Sequence, residues 1–368
     1  MAVYRVSDHR KSAQNDDEAI RLCLLAARDD RERTVLFDGE DYLISSAILL
    51  PSDTTVIIDG CTIRQRDLTF DNVFRGDNLV LNDADPNGLP LRVDPIRNVR
   101  ILGKNGAVIC GPEQNPVGYH PFFREDQVMV GDFFGWRTLQ ISLSLCDGFE
   151  VSGLRFDQTR CWAMSFDRCR NGHLHDLSIR SRVKNGDGID LRSGCHRVLV
   201  ENVRGDCSDD TVACTALSGP LCEDRPGELS RYLYPMEPTR CLPREPEDVC
   251  DITDVTVRNI QTAGMHHGVI CLAANGCRIR RVLIENVEEV PTDIPDPYRE
   301  ATVKIYTGYG RAAGEDDIAD LTVRNVRGLY AETTVYCNTP VRSGVLENVT
   351  HPLGHRLRLD FPEGFALR

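Results

Sequence analysis

Short runs of Val, Ile, Leu and Thr alternate with polar residues along most of this chain, punctuated by Gly, Asn or Asp. Alternation of period two predicts strands. Within it one phrase recurs: apolar, any residue, Asn, apolar. It stands at Val200–Val203, Val257–Ile260, Ile284–Val287, Val323–Val326 and Leu346–Val349, with weaker copies at Val151–Leu154 and Leu174–Leu177. From first residue to first residue the gaps are 23, 26, 57, 27, 39 and 23. A shortest period in the low twenties, lengthened in places by loops, is the signature of a solenoid. Leucines at fixed spacing with a helix per repeat are not seen, so a leucine-rich repeat does not fit. Three short strands and their turns fill about 23 residues, which predicts an all-β fold, a parallel β-helix, over residues 1–368 as one domain. The repeated Asn suits a left-handed turn position and can stack into a hydrogen-bonded ladder. Cys146, Cys169 and Cys195 each fall five residues before a repeat mark, so they are expected to stack in the core.

The first sixty residues read differently. Asp16-Asp17-Glu18 leads into AIRLCLLAARDD, whose apolar residues fall at helical spacing, and strands follow. This segment is expected to be a helical cap over the open end of the solenoid. The 57-residue gap predicts an inserted loop over 218–248, rich in Pro and acids. Cys222, Cys241 and Cys250 are read as lying in that insertion, with spacing too irregular to favour zinc.

Composition narrows the function. With 41% hydrophobic and 27% charged residues the chain can bury a large core. A net charge of −13 argues against nucleic-acid and anionic-membrane partners. No apolar run approaches the roughly 20 residues of a membrane span. The N-terminus lacks the pattern of an export signal, and fifteen cysteines without one suggest reduced thiols, so a cytoplasmic location is expected.

Counting from the repeat marks turns sequence position into a spatial coordinate. Asp210 lies ten residues after Val200, and His267 ten after Val257, so the two are expected to stack on neighbouring coils. Asp187, thirteen after Leu174, is expected on the coil before, with Asp209 beside Asp210. Aspartates in such turns are often structural, and Asp190 reads that way. The joint register of Asp187, Asp209, Asp210 and His267 points instead to acid–base work. Crowded carboxylates raise the pKa of one member, which supplies an acid. An inverting glycosidase uses an acid and a base about 6.5–9.5 Å apart. That chemistry needs neither metal nor cofactor.

These residues carry a resemblance. Asn185-Gly186-Asp187-Gly188-Ile189-Asp190, Asp209-Asp210 and His267-Gly268 follow the order of the motifs of glycoside hydrolase family 28, the polygalacturonase family. The similarity spans about 136–349 and includes Trp162, while the segment near Asp16 resembles the wider pectate-lyase-like superfamily. The resemblance implies a right-handed helix and an oligosaccharide partner. It implies Asp209 as general acid, Asp187 and Asp210 activating water, His267 holding the proton network and Asn185 positioning sugar hydroxyls. Two positions depart from the family. Ser208 replaces a glycine, and Val303-Lys304-Ile305-Tyr306 stands where the family has Arg-Ile-Lys. Lys304 and Tyr306 then become the substrate-binding pair, with galactose, rhamnose or a modified uronic acid equally open as the sugar. Tyr119, His120, Phe122 and Phe123 form a second loop that could stack on sugar or pack on the cap. The reading is an inverting, exo-acting hydrolase of pectin-type oligosaccharides of the plant cell wall. The alternatives are a polysaccharide lyase on the same fold, or a non-catalytic carbohydrate-binding helix.

Overall fold

The computed structural model of the chain describes residues 2–69, 71–81, 90–113, 117–119, 128–130, 139–183, 185–218, 250–293 and 299–368. All seven repeat marks lie side by side. Val151 pairs with Leu174, Leu174 with Val200, Val200 with Val257, Val257 with Ile284, Ile284 with Val323 and Val323 with Leu346, every pair parallel. The 57-residue gap is therefore one coil plus an insertion, not two coils. Upstream, Val35, Val56 and Ile101 extend the same row toward the N-terminus. The fold is a right-handed parallel β-helix, all-β apart from its cap.

One coil shows how the sequence makes the turn. Ile189–Arg192 runs along one sheet, Ser193–Cys195 turns, and His196–Cys207 runs along the other. Ser208–Thr211 then returns the chain to Val212–Ala216, beside Ile189. The long strand bends at Arg197 (φ 54°) and at Asn202 (φ 55°), both left-handed. At the second bend Asp176, Asn202, Asn259, Asn286, Asn325 and Asn348 all take this conformation. Their side chains form the expected ladder. Each amide donates to the residue one coil back, at 3.1, 3.0, 3.0, 3.0 and 2.8 Å.

Inward positions are apolar and closed to water. Cys146, Cys169 and Cys195 are buried as expected. A second row, Cys214, Cys271, Ile305 and Cys337, stacks under the other sheet. Cys250 departs from the expectation. Ile252 pairs with Ile279, so Cys250 lies in the coil beside Cys277, buried rather than in the insertion. Cys222, Cys241, His120, Phe122, Phe123 and the insertion beyond Ser218 lie outside the described residues, as does the side chain of Tyr119.

The cap is the helix Asp16–Ala27, which buries Ala19, Ile20, Cys23 and Ala27 against the first coils. Asn15 caps it by accepting from the Glu18 amide at 2.9 Å. Its acidic first turn also pins the first strands: Asp16 accepts from the Leu43 amide and Asp17 from the Ser45 amide. No helix among the described residues is long and apolar enough to cross a membrane.

Candidate active site

The strand register builds the site. Ile189 pairs with Val212 and Val212 with Val269, so Asp187, Asp210 and His267, each two residues earlier, stand on three successive coils. Backbone bonds continue the register through the turns: Gly188 donates to the Asp210 carbonyl at 2.8 Å, and Thr211 to the His267 carbonyl at 2.9 Å. Asp187 needs glycines on both sides because backbone crowds each, from its own turn at Gly186 and from the next coil at Gly188. A Cβ on Gly186 would meet the Ser181 carbonyl at 2.3 Å, and one on Gly188 the Thr211 carbonyl at 2.5 Å. Ser208 uses the same tight space, its hydroxyl donating to the Ser181 carbonyl at 3.2 Å.

Oxygens of Asp187, Asp209 and Asp210 all lie within 4.8 Å of one another. Asp187 (6% exposed) and Asp210 (7%) are buried, and Asp209 is the most open of the three. Burial, then the charges of Asp190, Asp209 and Asp210, pushes the Asp187 carboxyl well above the usual carboxylate range. Asp210 is driven the other way. Burial alone would raise its pKa, but His267 and His266 outweigh it and hold the group ionised, well below its ordinary value. Asp187 therefore favours its protonated form and Asp210 its ionised form, so a proton shared between them is drawn toward Asp187.

His267, 1% exposed, sets its Nδ1 2.6 Å from Asp210 Oδ1. An ionised carboxylate only accepts, so Nδ1 carries the proton and donates it. Its Nε2 is buried without a hydrogen-bond partner and lies 4.0 Å from Glu300 Oε2. The Oδ1 atoms of Asn185 and Asp187 are likewise buried without a hydrogen-bond partner. Trp162, on the coil before Asp187, is covered by the Arg192 guanidinium at 4.7 Å from the ring centre.

Two residues here were not singled out from the sequence. His266 places Nδ1 3.0 Å from Asp209 Oδ1 and 3.2 Å from Asp210 Oδ1. Hydrogen bonds to Asp209 and Asp210 raise its pKa to about 10, so it is an imidazolium bridging two carboxylates. A signal existed: His266 lies nine residues after its mark, as Asp209 does after its own. Glu300 is the other. It lies inside the 39-residue gap between Ile284 and Val323, whose extra length defeats counting from the marks.

The predicted substrate-binding pair faces outward on the second sheet, but its cation is engaged. Lys304 Nζ donates to Glu300 Oε2 at 2.5 Å and stands 4.3 Å from the centre of the Tyr306 ring. Between Asp190 and Lys304 the same outward row holds Ala213 and Ile270, buried with Leu272 and packed against Tyr306. The carboxylate cluster also brings oxygens close enough together to hold a cation.

The solenoid is similar in fold to several solved structures. The family 28 exopolygalacturonase of Yersinia enterocolitica is similar in structure, with a TM-score of 0.59 at 15% identity over 95% of this chain and 66% of its own. The exopolygalacturonase of Thermotoga maritima gives 0.57 at 13% identity, over 100% and 92%. An iota-carrageenase solved with iota-carrageenan fragments gives 0.63 at 10%, over 98% and 91%. The chain spans just under two thirds of the Yersinia protein. At these identities the likeness is one of fold. No family model and no curated protein matches the chain in sequence.

Proposed function

We propose that the protein is a glycoside hydrolase of the family 28 type, cleaving short pectin-type oligosaccharides from one end with inversion at the anomeric carbon. The observation that carries this reading is the cluster of Asp187, Asp209 and Asp210 within 4.8 Å, backed by His267. In this scheme the shared proton passes from Asp187 to Asp209, the most open carboxyl, which protonates the glycosidic oxygen as the bond breaks. Asp187 and Asp210, then both ionised, polarise a water for attack on the anomeric carbon and take up its proton. His267 is a positioning residue: it orients Asp210 through Nδ1. Exo action belongs to the same proposal; the insertion after Ser218, from which the sequence suggests it, lies outside the described residues. A cytoplasmic location belongs to the same proposal.

The carboxylate spacing is shorter than the 6.5–9.5 Å expected of an inverting pair, and nearer the retaining arrangement. Inversion is therefore supported by the resemblance of the motifs rather than by distance. Asp209→Asn keeps the size and removes the proton, so kcat/KM should fall at least ~10²-fold. Turnover within a few-fold of wild type would refute the role. NMR of the first-formed anomer decides between inversion and retention. An ultraviolet-absorbing unsaturated product would favour a lyase, and a chelator-sensitive rate would favour a metal at the carboxylates.

A further inference from the structure

Beside the carboxylate cluster, Lys304 and His266 are both already engaged. Lys304 Nζ is held by Glu300 and lies over the Tyr306 ring. Its side chain is 12% exposed and that of Glu300 32%, so this point of the face presents a carboxylate, with the ammonium behind it. His266 spends Nδ1 on Asp209 and Asp210, and Arg192 lies over Trp162. Arg358 stands two strands beyond Lys304, roughly 10 Å away, over the Tyr336 ring. Glu300 is itself held ionised. Burial would raise its pKa, but Lys304, with His267 and Arg358, lowers it.

A uronate docked at Asp209 would bring its carboxylate near those of Asp210 and Glu300, where Lys304 is held by Glu300 and His266 by Asp209 and Asp210. An uncharged sugar meets the same groups as hydroxyl donors facing acceptors, which ionised carboxylates are. We propose that Glu300 is a specificity-determining residue: by holding Lys304 and presenting its own carboxylate, it selects an uncharged sugar for the carboxylate cluster. This rests on the hydrolase reading and narrows it to neutral units of a pectin-type glycan.

The test compares two probes on the full chain: a galacturonate trisaccharide, and the same trisaccharide with its carboxyls reduced to primary alcohols. Calorimetry gives Kd for each, and mass spectrometry reads any products. Wild type should bind the reduced probe at least about tenfold tighter, the effect of one like charge left uncompensated. Glu300→Gln, which keeps the shape and releases the ammonium, should narrow that ratio about tenfold. Lys304→Met, which leaves Glu300 without its counter-charge, should widen it. A tighter acidic probe in wild type, no binding of the reduced probe, or a ratio unmoved by both substitutions overturns the proposal. Binding preference without products would sink the hydrolase reading and leave the charge selection standing; products from the acidic probe alone would do the reverse.

Discussion

Asp187 is the residue where function and stability pull apart. Its carboxyl is buried beside Asp190, Asp209 and Asp210, and both causes raise its pKa. Such a group binds its proton more tightly in the folded state than in the unfolded one. Its contribution to stability is therefore full below the unfolded value of about 3.9 and is lost as pH rises through the folded value. Asn carries the neutral shape and does not titrate. Asp187→Asn should thus be more stable than wild type at neutral pH, with the gap closing as pH falls to about 4. Activity should fall at least ~10²-fold in the same variant. Melting curves of both proteins from about pH 4 to about pH 8 check this, and a variant less stable than wild type across that range would contradict it. Asp210 has the opposite sign. Its lowered pKa contributes stability above the unfolded value, lost as pH falls through the folded one. Asp187, Asp210 and His267 could be placed from the sequence because strand register converts spacing into contact. His266 obeys the same arithmetic, yet beside a histidine already assigned a role it drew no notice. Glu300 could not be found that way, since its partner Lys304 lies on its own strand and the contact depends on how two long side chains fold back.

The coil is the unit in which the sequence speaks most directly. A buried strand must alternate, and a bend in a left-handed conformation needs Asn, Asp or Gly, so the repeat mark combines both demands in four residues. That is why the row from Val151 to Leu346 and the Asn ladder could be read before any coordinates. Loops carry no such constraint, and Cys250 was misplaced because the end of the insertion has no mark of its own. The ladder offers a test of what the repeat contributes. Asn286 donates to Asn259 at 3.0 Å and accepts from Asn325 at 3.0 Å, with φ 53°. Both Asn286→Gly and Asn286→Ala lose these bonds, but only Ala must be forced into the left-handed region. Ala should therefore be the less stable by about 1 kcal/mol in chemical denaturation. Equal stability would mean that the turn geometry is not what selects Asn here.

At the scale of the whole molecule, net charge bears on which glycans can approach. A surface of −13 repels polyanions over distances set by salt, with a Debye length of about 8 Å at physiological ionic strength. Glu300 acts at contact, where salt screens far less. The two contributions therefore separate: added salt should relieve the long-range part of the weak binding of polyuronate and leave the preference set by Glu300. Chain length is a separate matter. In the proposed exo mode, a polymer does not thread past the carboxylates and only a chain end reaches Asp209. Single units should then be released from oligomers, and reducing ends should accumulate from polymeric pectin with little loss of viscosity. Viscometry paired with a reducing-end assay, at low and high salt, measures both quantities on one sample. Rapid mid-chain scission of polygalacturonic acid, with viscosity collapsing before many ends appear, would overturn both the exo reading and the charge argument.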